Sequence, residues 1–282
     1  MKTILSLDGG GIRGLVTAAI LTRLDVQPDL ICGTSTGGLL GLMLSRGSSP
    51  TAILEAYREY APMIFSRPWW RRGLSSSKYP ASGIEEAAWQ MFGDHRMVDC
   101  SVPTMAVAYS LAKGRPKVFK SWTDPDELLR DVARATSAAP TYFPPTEDGL
   151  IDGGVWANDP ALCAVTEARL LWPGECLQMI SIGTGTTRER VSAHEASGWG
   201  LAGWGPHIVD VLMSATGGGT EYLLRAQMGD RYRRIQPDLG GIPSAMDRID
   251  PDHMEALVQL GMEWELPRSG QGAGFEPAGA RE

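Results

Sequence analysis

Apolar positions along this chain form two kinds of run, short unbroken stretches and longer stretches with helical spacing, and the two kinds alternate from the first residues on. Thr3 to Leu7 reads as a strand, Leu15 to Leu24 as a helix, and Asp29 to Cys32 as a second strand after the break at Pro28. Thr36 to Ser45 follows as a helix with Leu39, Leu40, Leu42, Met43 and Leu44 on its buried side. Ser49 is an N-cap with Pro50 at the first helical position, and Ile53, Leu54, Tyr57, Ala61 and Ile64 mark a helix interrupted near Pro62. Ile84 to Phe92 is a short amphipathic helix, and Thr104 to Tyr109 and Lys117 to Trp122 are strands. Asp124-Pro125-Asp126-Glu127 supplies an N-cap, a proline and an acid at N3 for a helix that runs towards Pro140. Leu150-Ile151 leads into Asp152, Asp159-Pro160 caps a helix through Leu171, and Leu177 to Ile182 is a strong strand. Ile208 to Ser214 and Tyr222 to Met228 read as helices on either side of a flexible turn at Gly217-Gly218-Gly219. Arg231 to Gln236 is a strand, and Asp250-Pro251 caps a last helix ending near Trp264.

The 282 residues are 43% hydrophobic, enough for one sizeable α/β core over residues 1–266, followed by a Gly/Pro-rich tail, 267–282, that is expected to be disordered. A formal net charge of -7 argues against a nucleic-acid partner, since a duplex-binding surface carries a basic excess. The apolar run after Met1-Lys2 is too short for a secretory signal, no run approaches a membrane span, and the expected location is the cytoplasm, with peripheral contact to a membrane. Cys32, Cys100, Cys163 and Cys176 are scattered as suits reduced thiols, and no C-x-x-C or H-x-x-x-H spacing suggests a metal site.

Three glycine-braced turns carry the candidate chemistry. In Gly33-Thr34-Ser35-Thr36-Gly37 a serine stands between glycines at the spacing of a nucleophile elbow, with a strand before it and a helix after it. A Gly/Ser/Thr turn without chemistry is the other reading. Asp8-Gly9-Gly10-Gly11-Ile12-Arg13-Gly14 also joins a strand to a helix, and its backbone can turn N–H groups outward to meet an oxyanion or a phosphate. It matches the dinucleotide fingerprint from Gly9 to Gly14, but the acidic ribose partner that fingerprint needs is missing, so no nucleotide cofactor is expected. Asp152-Gly153-Gly154 holds a carboxylate at a turn mouth, where an ordinary Asp-Gly turn is the rival reading. Separately, Trp69, Trp70, Arg71 and Arg72 lie in an aperiodic stretch with residue types suited to a lipid interface, or alternatively to a loop anchor. The stretch from Ser192 to Gly205, with Trp199 and Trp204, reads as a rim of the site.

Taken in order, these three motifs resemble those of the patatin-like phospholipases, and Ala135 to Pro144 and Gly198 to Trp204 are similar to the family's bacterial members. The resemblance covers nearly the whole chain. It implies a three-layer α/β/α sandwich with a mostly parallel sheet, Ser35 as nucleophile, Asp152 as base, the Gly10 and Gly11 amides as oxyanion hole, and Arg13 facing a lipid phosphate. A phospholipid or other acyl-lipid substrate, no metal and no cofactor follow from the same resemblance. Two other readings remain: a module that holds a phosphorylated ligand without hydrolysis, and a Ser-Asp-His triad drawing on His194, His207 or His253. The expectation is a dyad in which neither these nor His95 takes part. Lipid head group, acyl position, acceptor and oligomeric state are not legible in the sequence.

Overall fold

A computed structural model describes residues 1–67, 76–186, 193–204 and 208–265. Seven strands form one sheet: β1 (Lys2–Leu7), β2 (Leu30–Thr34), β3 (Thr104–Ser110), β4 (Arg115–Lys120), β5 (Leu150–Asp152), β6 (Leu177–Ile182) and β7 (Tyr232–Ile235). Their order is β4-β3-β2-β1-β6-β7, with β5 paired to β3. The four central pairings are parallel, Leu5 standing opposite Ile31 and Ile180, while β4 and β5 run antiparallel to β3. Strands connected by helices can pair in parallel, whereas β4 follows β3 through a short turn and must reverse.

Side chains alternate across the sheet and divide the core in two. Leu5, Leu7, Ile31, Ala106, Ala108 and Ile182 face one cluster, built with α1 (Gly14–Leu21), α2 (Thr36–Ser45), α3 (Pro50–Ile64), α4 (Ala81–Phe92) and α5 (Leu129–Thr136). Ile4, Leu30, Cys32, Met105, Val107 and Met179 face the other, beneath α6 (Gly154–Ala157) and α7 (Ala161–Leu171). The remaining helices are α8 (Ala193–Ala196), α9 (Leu201–Trp204), α10 (Ile208–Met228), which adds Leu224 and Met228 to the second cluster, and α11 (Pro251–Glu263), which adds Met254, Leu257 and Val258 to the first. Helices thus cover both faces of a mostly parallel sheet, the α/β/α sandwich that was expected. Helix α2 is buried on nearly every side, which explains why its ten residues contain no charge.

Three local expectations give way to tertiary context. The proposed cap at Asp124 is absent: its carboxylate accepts from Lys117 Nζ at 2.6 Å and from the Lys120 amide at 3.1 Å, closing the turn after β4, and α5 begins only at Leu129. Pro62 does not interrupt α3: the helix runs on to Ile64, and burial of Ile53, Leu54, Tyr57, Ala61 and Ile64 along one face offsets the hydrogen bond that the proline cannot donate. Gly217-Gly218-Gly219 is no turn but part of one continuous α10; packing of the helix against α6, α7 and β7 outweighs the roughly 1 kcal/mol each glycine costs. Trp69, Trp70, Arg71, Arg72 and the tail 267–282 lie outside the described residues. Among the described residues, no helix is long and apolar enough to cross a membrane.

Candidate active site

Ser35 sits between the end of β2 and the start of α2 with φ 53° and ψ -125°, a conformation a serine adopts only when its surroundings impose it. The surroundings are the flanking glycines. A Cβ on Gly33 would strike the backbone of Gly37 and the Gly38 amide, and one on Gly37 would lie 2.6 Å from the Asp8 carbonyl oxygen. Neither can be replaced without moving main chain. The Ser35 amide donates to Thr136 Oγ1 at 3.0 Å, and that hydroxyl donates to the Val107 carbonyl at 2.6 Å, so β3 and α5 together fix the turn. Ser35 is 8% exposed and opens onto a cleft at the N-terminus of α2.

The glycine loop after β1 is tied down by its carbonyls. Gly9 O accepts from Thr184 Oγ1 at 3.0 Å, Gly10 O from the Arg13 amide at 3.2 Å and from Arg13 Nε at 3.4 Å, and Gly11 O from Tyr57 Oη at 2.7 Å. With the carbonyls drawn back, the Gly10 and Gly11 residues border the cleft, and among the described residues their amides meet no acceptor. Gly11 has φ 58°, and a Cβ there would overlap the Met246 carbonyl. Beneath the loop Asp8 accepts from Arg234 Nη1 at 2.8 Å and Nη2 at 2.5 Å, and Arg234 also reaches Asp159 Oδ2 at 3.3 Å. Burial pushes the Asp8 carboxyl up and the guanidinium pulls it back; burial also opposes the charge on Arg234, but Asp8 and Asp159 outweigh it and raise its pKa.

Asp152 ends β5, beside β3, and is 2% exposed. Its Oδ1 accepts from the Gly154 amide at 2.7 Å, while Oδ2 has no hydrogen-bond partner among the described residues. Burial pushes the carboxyl up to about 7; the nearby Ser35 hydroxyl and the Gly154 amide pull the other way. The hydroxyl is close enough to act on the carboxylate's ionisation without forming a completed hydrogen bond to it, the loose geometry usual before a substrate is bound. Gly153 is needed because a Cβ would run into the Val107 carbonyl, the same group that anchors Thr136. Thr34 Oγ1 donates to the Ala157 carbonyl at 2.6 Å and joins the elbow to the turn behind Asp152.

Ser35, Asp152, Gly10 and Gly11 line one cleft, whose other walls are mostly apolar, among them Leu39, Ile64, Phe65, Phe143, Met213 and Met246. A few convergent polar groups in an apolar lining are the character of a small-molecule site. Within it the buried Ser137 and Thr36 hydroxyls also lack hydrogen-bond partners among the described residues.

A sequence model of the family described as "Patatin-like phospholipase" matches residues 5–165, and "Patatin-like protein 1" of Arabidopsis thaliana is 32% identical across 93% of this chain and 80% of its own length. The chain belongs to the patatin-like phospholipase family. Also similar is a "cGAMP-activated phospholipase" of Pseudomonas aeruginosa, 31% identical across 92% of this chain and 86% of its own. The solved structure of VipD from Legionella pneumophila aligns with 93% of this chain and 65% of that one, at 13% identity and a TM-score of 0.49, so this chain spans just under two thirds of it. Membership in the patatin-like family carries the expected reaction class, carboxylic-ester hydrolysis.

In this patatin-like chain the structure brings Ser35, Asp152, Gly10, Gly11 and Gly154 together at one cleft, and Gly9, Gly14, Gly33, Gly37 and Gly153 serve as close-approach points around it. Arg13 does not border the cleft; it braces the Gly10 carbonyl. His95 is an exposed partner of Arg46 and Asp99, and His253 is buried in α11; neither borders the cleft. His207 and the His194 side chain lie outside the described residues. Sequence reasoning missed Thr136, Thr184 and Arg234. A buried cation opposite the acidic start of the first motif is the one signal that could have been sought: Asp8 opens the glycine loop and needs a partner.

Proposed function

We propose that this chain is a serine lipid acyl hydrolase, a phospholipase A or esterase that cleaves fatty-acyl esters through a Ser35-Asp152 dyad. The observation that carries the reading is the pairing of a strained serine at a helix N-terminus with a buried carboxylate that has no counter-charge among the described residues, at one apolar cleft. Asp152 Oδ2 takes the proton from Ser35 Oγ as that oxygen attacks the ester carbonyl. The tetrahedral oxyanion is met by the Gly10 and Gly11 amides, held ready by carbonyls already engaged elsewhere; one such donor is typically worth about 3 kcal/mol. Collapse expels the alcohol, protonated by Asp152, and leaves an acyl group on Ser35. Water then attacks with Asp152 again as base, and Ser35 leaves as a hydroxyl.

A carboxylate at its ordinary pKa is a weak base, and the burial that pushes Asp152 up to about 7 matches it to neutral pH. The apolar walls suit an acyl chain, and a phospholipid is the substrate this reading favours. A fluorophosphonate probe tests it: the proposal expects a covalent adduct on Ser35 and loss of esterase activity, with no adduct in Ser35→Ala. Intact protein that neither reacts with the probe nor hydrolyses short-chain esters would favour a non-hydrolytic phospho-ligand module instead.

A further inference from the structure

Two acceptor oxygens stand unpaired where the glycine loop meets the turn behind Asp152. Asp152 Oδ2 and Asn158 Oδ1 are both shut off from solvent, and neither has a hydrogen-bond partner among the described residues. They are neighbours of the reacting groups. A Cβ placed on Gly9 would lie 2.5 Å from Asn158 Oδ1 and 3.2 Å from Ser35 Cβ, and one placed on Gly154 would lie 3.1 Å from Asp152 Oδ1 and 3.4 Å from Asn158 Oδ1. The amide oxygen therefore lies beside both the serine and the carboxylate, and a side chain on either glycine would crowd it. The fold already uses the Asn158 backbone, whose carbonyl accepts from the Gly9 amide at 3.1 Å. Its side-chain oxygen has no such task. Buried acceptors left unpaired by the protein usually meet a ligand or an ordered water.

We infer that Asn158 Oδ1 and Asp152 Oδ2 together hold the water that hydrolyses the acyl-enzyme, so that Asn158 is a catalytic residue of deacylation and favours water over other acyl acceptors. The inference rests on the Ser35-Asp152 reading. A water molecule has two O–H groups. One is directed at Asp152 Oδ2, which takes the proton; the other needs an acceptor, or the lone pair does not stay aimed at the acyl carbon. The water oxygen bonds to that carbon, the bond from carbon to Ser35 Oγ breaks, and the proton held by Asp152 passes to Ser35 Oγ, giving a carboxylic acid and the free serine. Acylation makes no such demand, because the single hydroxyl proton of Ser35 goes to Asp152 alone.

The two steps separate in a rapid-mixing experiment with a p-nitrophenyl ester of a short fatty acid. In Asn158→Ala the burst of p-nitrophenol should keep its rate within about threefold while steady-state turnover falls about tenfold or more, and an acyl adduct on Ser35 should accumulate by intact mass. Added methanol should then capture a larger share of the acyl group as ester. Asn158→Asp, which keeps an acceptor oxygen, should restore most of the turnover at alkaline pH. Equal slowing of burst and turnover, no slowing, or no rescue by Asp would overturn the role given to Asn158. If the wild-type enzyme forms no adduct on Ser35, or Ser35→Ala still turns over, it is the dyad that fails instead.

Discussion

Asp8 and Asp152 stand at strand ends of the same sheet, both withdrawn from water and both pushed towards the neutral form by that burial. Their company differs. Asp8 has both oxygens on the Arg234 guanidinium and a second carboxylate, Asp159, sharing the charge from behind. Asp152 has one backbone amide on one oxygen, its other oxygen has no hydrogen-bond partner among the described residues, and the Ser35 hydroxyl is nearby. A buried carboxylate with a bidentate cation holds structure; one left without a counter-charge is poised to take a proton. The fold keeps both sorts within one glycine-rich region, the first beneath the glycine loop and the second lining the cleft.

The comparison breaks most visibly at the unpaired site. Ser35→Ala should lower ester hydrolysis by about ten-thousandfold or more, and Asp152→Asn by about a thousandfold, each with an unchanged circular dichroism spectrum. Activity within tenfold of wild type in either would remove the dyad. The paired site should respond in stability. Arg234→Met leaves two carboxylates buried without their cation and should destabilise the fold by about 3–5 kcal/mol in urea unfolding, whereas changing Asp8 to Leu together with Arg234→Met should recover part of that loss. An Arg234→Met protein as stable as wild type would mean that the ion cluster does not organise the loop.

Titration sharpens the contrast. With Asp152 raised from 3.8 to about 7, the base is lost as it protonates, so kcat/KM should fall about tenfold per pH unit below about 7. The stability consequence has the opposite sense. A carboxyl whose folded pKa lies above its unfolded one favours the folded state at acid pH and loses that advantage as pH rises through the folded value. Asp152→Asn removes the loss, so its gain in Tm should be greater at pH 8 than at pH 5. An equal gain at both would mean that the carboxyl is not raised.

Much of this was legible in the sequence for a physical reason: the elbow, the glycine loop and the Asp152 turn are each set by neighbours a few residues away, and glycine spacing records that constraint locally. Helix ends with their own caps were legible too, as at Ser49 and Asp250, whose side chains accept from Ala52 and His253 amides. What escaped depends on contacts distant in sequence. Arg234 reaches Asp8 across the sheet from β7, Thr136 reaches Ser35 from α5, and neither residue type announces such a role. Asp124 looked like a cap and serves a strand turn instead, because Lys117 and Lys120 offered it better partners. The three glycines of α10 looked like a turn because propensity is a local property while the packing that holds them is not.

The smallest expected effect concerns His253, which tests whether burial without a partner is enough to make a titratable group part of the machinery. It is 4% exposed, both ring nitrogens lack hydrogen-bond partners among the described residues, and burial, with Arg248 nearby, lowers its pKa while Asp250 opposes. In this it resembles Asp152. It differs in place, since α11 packs on α1 and does not border the cleft. A triad would need an imidazole within hydrogen-bond reach of the serine. His253→Gln should therefore leave turnover within about twofold, as should His95→Gln at its exposed site. The residue should be felt in stability instead. A histidine whose folded pKa is depressed contributes stability that is present above the unfolded value of about 6.5 and is lost as pH falls through the folded one. His253→Leu should accordingly flatten the acid side of the Tm profile below that pH while the kcat/KM profile keeps its limb near 7. A shift of the kinetic limb in either His253 variant would bring the imidazole into the proton path and give Asp152 the lesser task of orienting it.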